Sequence, residues 1–158
     1  MLDRLFPARL DNEGYRGSAA ALWALGLLLA LKAVMGVNGT LNARSVATGA
    51  DGIRLDGLPG GAAETVLQLF RALSLGQLPL VLIGLAALLR WRAMVPFVYL
   101  VLIAEQLARR LLAIAAARPM DWTSPGAWIN LGLLALLLAG FALSLWMRPD
   151  KDRTAPAG

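Results

Sequence analysis

Long apolar runs, broken by short clusters of arginine, glycine, aspartate and proline, set the rhythm of this chain. Four of them, at 19–37, 73–89, 93–117 and 127–147, approach the ~20 residues that an α-helix needs to cross ~30 Å of hydrocarbon. None alternates apolar with polar residues, as the strands of a membrane β-barrel would. Backbone groups facing lipid must be hydrogen-bonded within their own segment, and helices do this without partners. The pattern predicts an all-α fold: an up-down four-helix transmembrane bundle over 18–148, between polar tails at 1–17 and 149–158.

The intervening segments refine the picture. Ser18 is a suitable N-cap for the first helix. The loop 38–61 is rich in Gly, Asn, Asp and Thr and ends in Gly57-Leu58-Pro59-Gly60-Gly61, a run of turn residues. After it, 62–73 carries Val66, Leu69, Phe70 and Leu73 at i, i+3, i+4, i+7, while Glu64, Gln68 and Arg71 lie elsewhere on the wheel. That spacing predicts an amphipathic interfacial helix set at an angle to the second span, which Pro79 should kink. Arg90-Trp91-Arg92 makes a tight turn, and Ser124-Pro125 fits the start of the last helix. Small residues mark candidate packing seams: Gly26 and Ala30; Gly76, Gly84 and Ala87; Gly132, Ala135, Ala139 and Ala142. The same seams suit a homo-oligomer or a membrane-protein partner.

Composition and charge then assign a compartment. The chain is 58% hydrophobic and 16% charged, with a net charge of +5. Its basic residues cluster at helix ends and form no stripe, which argues against nucleic acid and for orientation in a bilayer. Arg4, Arg9, Arg16, Arg90, Arg92, Arg148, Lys151 and Arg153 fall on one side; only Arg44, Arg54 and Arg118 fall on the other. The positive-inside rule makes both termini cytoplasmic and the first loop external, in a multi-pass membrane protein. Tyr15, Trp91 and Trp146 fit the inner interface, and Trp122 and Trp128 the outer one; Trp23 falls inside the first span, away from either belt. The first run follows a polar stretch containing Asp3, Asp11 and Glu13 and reads as a retained span, not a secretory signal.

Cysteine and histidine are absent. Without them there are no disulfides, no thiolate nucleophile, no Cys/His zinc site and no histidine-ligated haem. No catalytic set, metal site or cofactor is expected. The chemistry that remains is polar side chains inside apolar runs. Glu105, halfway along the third span, costs several kcal/mol there unless it is paired, neutralised or facing water. Arg109 follows at i+4, the order that suits an ion pair on one helical face, and Gln106 and Arg110 repeat the spacing. Helix depth places Lys32, Gln77, Glu105, Gln106, Arg109 and Asn130 in one layer fed by all four helices, with Arg71 nearby at the outer interface. Such a cluster either holds helices in register or takes a polar or anionic ligand.

The layout resembles that of DoxX-like small bacterial membrane proteins: four spans, a long external loop with an amphipathic stretch, and a tight basic turn between spans two and three. The segments that carry it are Leu82-Ile83-Gly84 through Leu88-Leu89-Arg90, and Gly140-Phe141-Ala142-Leu143-Ser144-Leu145. The resemblance implies an accessory place beside membrane redox complexes and transfers no functional residue. The first expectation is therefore a non-catalytic membrane subunit or scaffold. The alternative is a small transporter, or a lipid- or quinone-binding protein, centred on Glu105 with Lys32 and Arg109.

Overall fold

The computed structural model describes Tyr15, residues 17–115 and residues 125–146. Among the described residues the chain is helical and has no strand: α1 (Ala19–Leu41), α2 (Ala62–Leu75), α3 (Gln77–Arg90), α4 (Val95–Ala115) and α5 (Pro125–Leu145). A helical turn at Ala43–Ser45 and a π turn at Val46–Ala50 follow α1, and a 3₁₀ turn at Arg92–Met94 precedes α4. Three stretches are long and apolar enough to cross a membrane: α1, α2 with α3 taken together, and α5. α4 has the length, but Glu105 stands at its midpoint and Arg109 and Arg110 follow in its second half.

α1 is the hub. It packs along α2, α3 and α5; α4 packs on α5 and α3 and meets α1 only sparsely. Ser18 begins α1 as expected, its Oγ accepting from the Ala20 N–H at 3.2 Å. The helix buries Ala21, Leu25, Leu28, Leu29, Lys32, Gly36 and Gly39, one stripe at mixed spacings of three and four residues. Leu25, Leu28 and Leu29 join Val81, Ala87, Val95, Val98, Tyr99, Leu102, Leu133 and Leu137 in the central core. Gly84 makes this approach possible, since a Cβ there would stand 2.5 Å from Leu29 Cδ2.

α1 runs past the expected boundary at Val37. Asn38, Gly39, Thr40 and Leu41 stay helical, so the loop proper begins after the π turn. Packing offsets the poor helix propensity of Gly39, whose bare Cα lies against the Ser74 side chain. Thr40 donates to the Gly36 carbonyl at 2.7 Å, and Asn42 Nδ2 donates to Asn38 Oδ1 at 2.7 Å. Beyond, Ala43, Ala47, Leu55 and Leu67 form a small second core with Ile53, Ala63, Val66 and Phe70 around it. The loop is thus folded onto α2. The face of α2 turned into the protein carries Leu67 and Ser74, whereas Leu69 and Leu73 of the apolar stripe are each 60% exposed.

The break between α2 and α3 falls at Gly76, ahead of Pro79. Pro79 is the third residue of α3, where a missing N–H leaves no helical bond unmade. Its ring does conflict with the carbonyl four residues back, that of Leu75, which is where α2 stops. Gly76 keeps helical torsions (φ −61°, ψ −16°), and its N–H bonds the Ala72 carbonyl at 2.9 Å, so the chain continues in the same sense.

On α5, Gly132, Ala135, Ala139 and Ala142 are exposed and do not form the intramolecular seam expected of them. The buried residues are Gly126, Leu133, Leu137, Gly140 and Ser144, on a neighbouring face. Tyr99 accounts for the choice. It is fully buried, donates to the Ala21 carbonyl at 2.6 Å, and lies flat against Gly140. Of the other seam residues, Gly84 and Ala87 are buried and Gly26 touches Leu88, while Ala30 and Gly76 face outward. Ser124 and Met147, and most of the polar tails, lie outside the described residues.

Two substitutions on one helix test this packing. A Cβ at Gly140 would stand 2.6 Å from Tyr99 Cζ, whereas one at Gly132 would meet nothing within 4 Å. Gly140→Ala should lower stability by ~1–3 kcal/mol, the usual cost of overpacking. Gly132→Ala should be neutral or stabilising by up to ~1 kcal/mol, from helix propensity. Thermal melts in detergent will separate them; equal effects would remove Tyr99 as the residue that orients α5.

Candidate functional site

Glu105 is the central residue of the 21-residue α4. Both of its carboxylate oxygens are engaged. Lys32 Nζ donates to Oε2 at 2.7 Å, and Arg109 Nε donates to Oε1. The cations differ in setting: the Lys32 side chain is 3% exposed, that of Arg109 40%, and Glu105 lies between them at 16%. Lys32 therefore has no water to fall back on, while Arg109 keeps its outer edge free for solvent or headgroups. The i,i+4 spacing read from the sequence is realised as an ion pair on one helical face, and the lysine from α1 completes it.

A second polar link runs beside the first. Gln106 Nε2 donates to Asn130 Oδ1 at 3.0 Å and lies 3.3 Å from the Asn130 carbonyl, joining α4 to α5. Asn130 Nδ2 in turn donates to the Gly126 carbonyl at 2.8 Å, in the first turn of α5. Gln106 is buried. A side-chain amide offers both donors and acceptors, so the pair satisfies groups that would be costly to leave bare.

The predicted layer is thus assembled in part. Lys32, Glu105 and Arg109 meet; Gln106 and Asn130 meet on the adjoining face. Arg110 is half-buried one position further along α4. Gln77 is half-buried in the first turn of α3, and among the described residues no hydrogen bond ties it to the others. Arg71 is engaged elsewhere, pairing at 3.3 Å with Glu64 on the exposed side of α2, so it adds nothing to the cluster. Both partners are largely exposed, and such pairs are worth little.

Sequence reasoning missed two contributors. Tyr99, below the ion pair on α4, ties α4 to α1 at a second height. Asp51, in the loop, brings its carboxylate against Gly126: a Cβ on that glycine would stand 2.6 Å from Asp51 Oδ1. The surrounding protein pushes the Asp51 pKa up, and the positive charge of Arg109 pulls it back part of the way. Nothing in the turn-like composition of 49–57 distinguishes Asp51 from Asp56; only the folded loop does. With Asp51 included, the charges of Lys32, Glu105, Arg109 and Asp51 alternate in sign and sum to zero. The positive excess that favoured an anion is thereby much reduced.

Among the described residues no group of Asp and Glu is arranged to hold a metal ion. A groove of about 180 Å³ between α1 and α5 is lined by Leu31, Met35, Ile129, Gly132, Leu133 and Leu136, all apolar, and no member of the polar cluster reaches it.

The asymmetry between the two cations generates a test. Glu105→Gln leaves Lys32 charged, buried and without its carboxylate, a situation that costs ~3–5 kcal/mol in soluble proteins. Membrane couplings are smaller, averaging ~0.6 kcal/mol. Adding Lys32→Gln to Glu105→Gln should recover most of the lost melting temperature, and adding Arg109→Gln should recover little. If the arginine change rescues and the lysine change does not, the burial argument is wrong.

No family model, no curated protein and no solved structure matches this chain, so its chemistry is read from these residues alone.

Proposed function

We propose that this chain is a small polytopic membrane protein, a non-catalytic subunit or scaffold, whose polar cluster locks a four-span bundle. The observation that carries the reading is the saturation of Glu105, with Lys32 on one oxygen and Arg109 on the other. A carboxylate poised for proton or ion transfer needs an exchangeable partner; this one has two fixed ones. The neighbouring amides are also satisfied, by each other and by the backbone.

In this reading α4 is the fourth crossing. Glu105 is balanced by Lys32 and Arg109, which removes most of the cost of placing it in lipid. The apolar surface also fits a bilayer as solvent: Leu27, Val34, Leu82, Ile83, Leu89, Leu111 and Leu138 are all at least half exposed. Trp23 joins the aromatic belt after all. It is only the fifth residue of α1 and is 82% exposed, at the end of the bundle that also carries Trp91 and Trp146. Arg90 and Arg92 lie at that end too, which supports a cytoplasmic assignment for it, in a bacterial inner membrane. The DoxX-like layout belongs to the same proposal, as an accessory place beside another membrane complex. The exposed stripe of Gly132, Ala135, Ala139 and Ala142 suits close approach by a second helix.

The alternative, a lipid- or quinone-binding protein or small transporter, centres on Glu105 with Lys32 and Arg109, but these groups are engaged with one another, and the apolar α1–α5 groove lies apart from them. At about 180 Å³ it falls below the ~300–1,000 Å³ of ordinary ligand sites, and it offers no polar group to orient a headgroup. The scaffold reading is therefore preferred.

Two measurements test it. Because the chain lacks cysteine, Thr48→Cys and Thr154→Cys are clean reporters for an impermeant thiol reagent on intact cells. Labelling at Thr48→Cys with protection at Thr154→Cys is expected; the reverse inverts the orientation. In detergent, a panel of quinones and anionic lipids should leave the melting temperature within the range seen with bulk lipid, and Glu105→Gln should lower it. A quinone that raises it by several degrees, with Glu105→Gln melting like the parent but losing that shift, would replace the scaffold by a binding protein.

A further inference from the structure

The loop after α1 has an architecture that its composition does not announce. Val46–Ala50 forms a π turn closed by Asp51 N–H on the Val46 carbonyl at 3.1 Å, and Ile53 N–H bonds the Ala47 carbonyl at 2.8 Å. Thr48 Oγ1 donates to the Arg44 carbonyl at 2.9 Å. Gly52, with φ +64°, then turns the chain away in a conformation that few other residues adopt. Between these fixed points stand Ala50 and Asp51, and both press on the start of α5. A Cβ at Gly126 would stand 2.8 Å from the Ala50 carbonyl oxygen and 2.6 Å from Asp51 Oδ1. Gly126 is buried beneath them.

The position of this contact gives it meaning. Gly126 is one helical turn from Asn130, and its carbonyl accepts from Asn130 Nδ2. Asn130 is bonded to Gln106, and the next residue along α4 from that pair's level with a charge is Arg109, which also feels Asp51. The loop therefore touches down at the mouth of the seam between α4 and α5, directly beyond the polar cluster. We infer that residues 46–52 are a strap that holds this end of the α4–α5 seam closed, with Ala50 and Asp51 as its latch on the first turn of α5.

Two physical terms hold the latch. A carboxylate at a helix start meets the positive end of the helix dipole and N–H groups with no helical partner. The positive charge of Arg109, which is bonded to Glu105, adds a weaker through-space attraction from α4. The absence of a side chain at Gly126 lets the strap come close enough to use both. The Ala47 side of the strap is secured independently with Ala43, Leu55 and Leu67, so releasing the latch frees its Ala50–Gly52 end and leaves the small second core in place.

Hydrogen–deuterium exchange on the full chain in lipid nanodiscs tests this. Asp51→Asn keeps the shape and removes the charge; Gly126→Ala keeps the charge and removes the room. Each should raise exchange of the Asp51 and Ile53 amides and of the first hydrogen-bonded amides of α5 roughly fivefold, as loss of a helix-end charge interaction implies. Exchange in α2 should stay at the parent rate. The inference fails if both single changes leave exchange at the parent rate, or if α2 opens to the same extent as the strap.

Discussion

Glu105 has ten residues of α4 on either side of it. A side chain that short cannot reach either end of its helix, so its charge has to be answered where it stands. Lys32 must come from another helix to do so, and it must arrive at one depth and on one face of α1. That single requirement fixes how far α1 and α4 are displaced along each other, and α4 is otherwise only sparsely packed on α1. α5 fills the space beside them with the Gln106–Asn130 bond at the adjoining level. The apolar contacts of Leu25, Leu28, Leu102 and Leu137 are many but unspecific in register; the polar contacts are few and tolerate little sliding.

Charge balance changes how the cluster is understood. Lys32, Arg109 and Arg110 against Glu105 alone make a positive field that invites an anion. Asp51 adds a second acid that feels the charge of Arg109 and halves the positive excess, a balance suited to holding helices together. The apolar groove on the α1–α5 side is separate from it, and nothing polar connects the two.

Much of this was legible in the residues. Helical character, the apolar runs, the Ser18 cap and the pairing of Glu105 with Lys32 and Arg109 follow from period, length and the cost of charge in an apolar run. What escaped depends on shape. Gly39 reads as a loop residue, yet it is helical because its missing side chain lets Ser74 approach. Gly132, Ala135, Ala139 and Ala142 have seam spacing, but the packed face is set by the Tyr99 ring seeking Gly140. Pro79 marks a disturbance in the chain, and the steric conflict it causes lies four residues earlier. Arg71 stood at a suitable depth and turned to Glu64 on its own helix. Asp51 carried no signal, because its role depends on a fold formed by 43–55 and α2.

α1 and α4 are joined at two heights, by Tyr99 on the Ala21 carbonyl and by Glu105 on Lys32. Residue order at both ties rises together, so the two helices run parallel. Two bolts through parallel beams permit neither sliding nor hinging: a tilt that preserves one must stretch the other. The α1–α4 pair is thus a frame braced at two heights although its apolar packing is sparse, with α5 packed along both members. A rocking motion of the kind that carries solutes across a membrane would have to shear this frame through its middle.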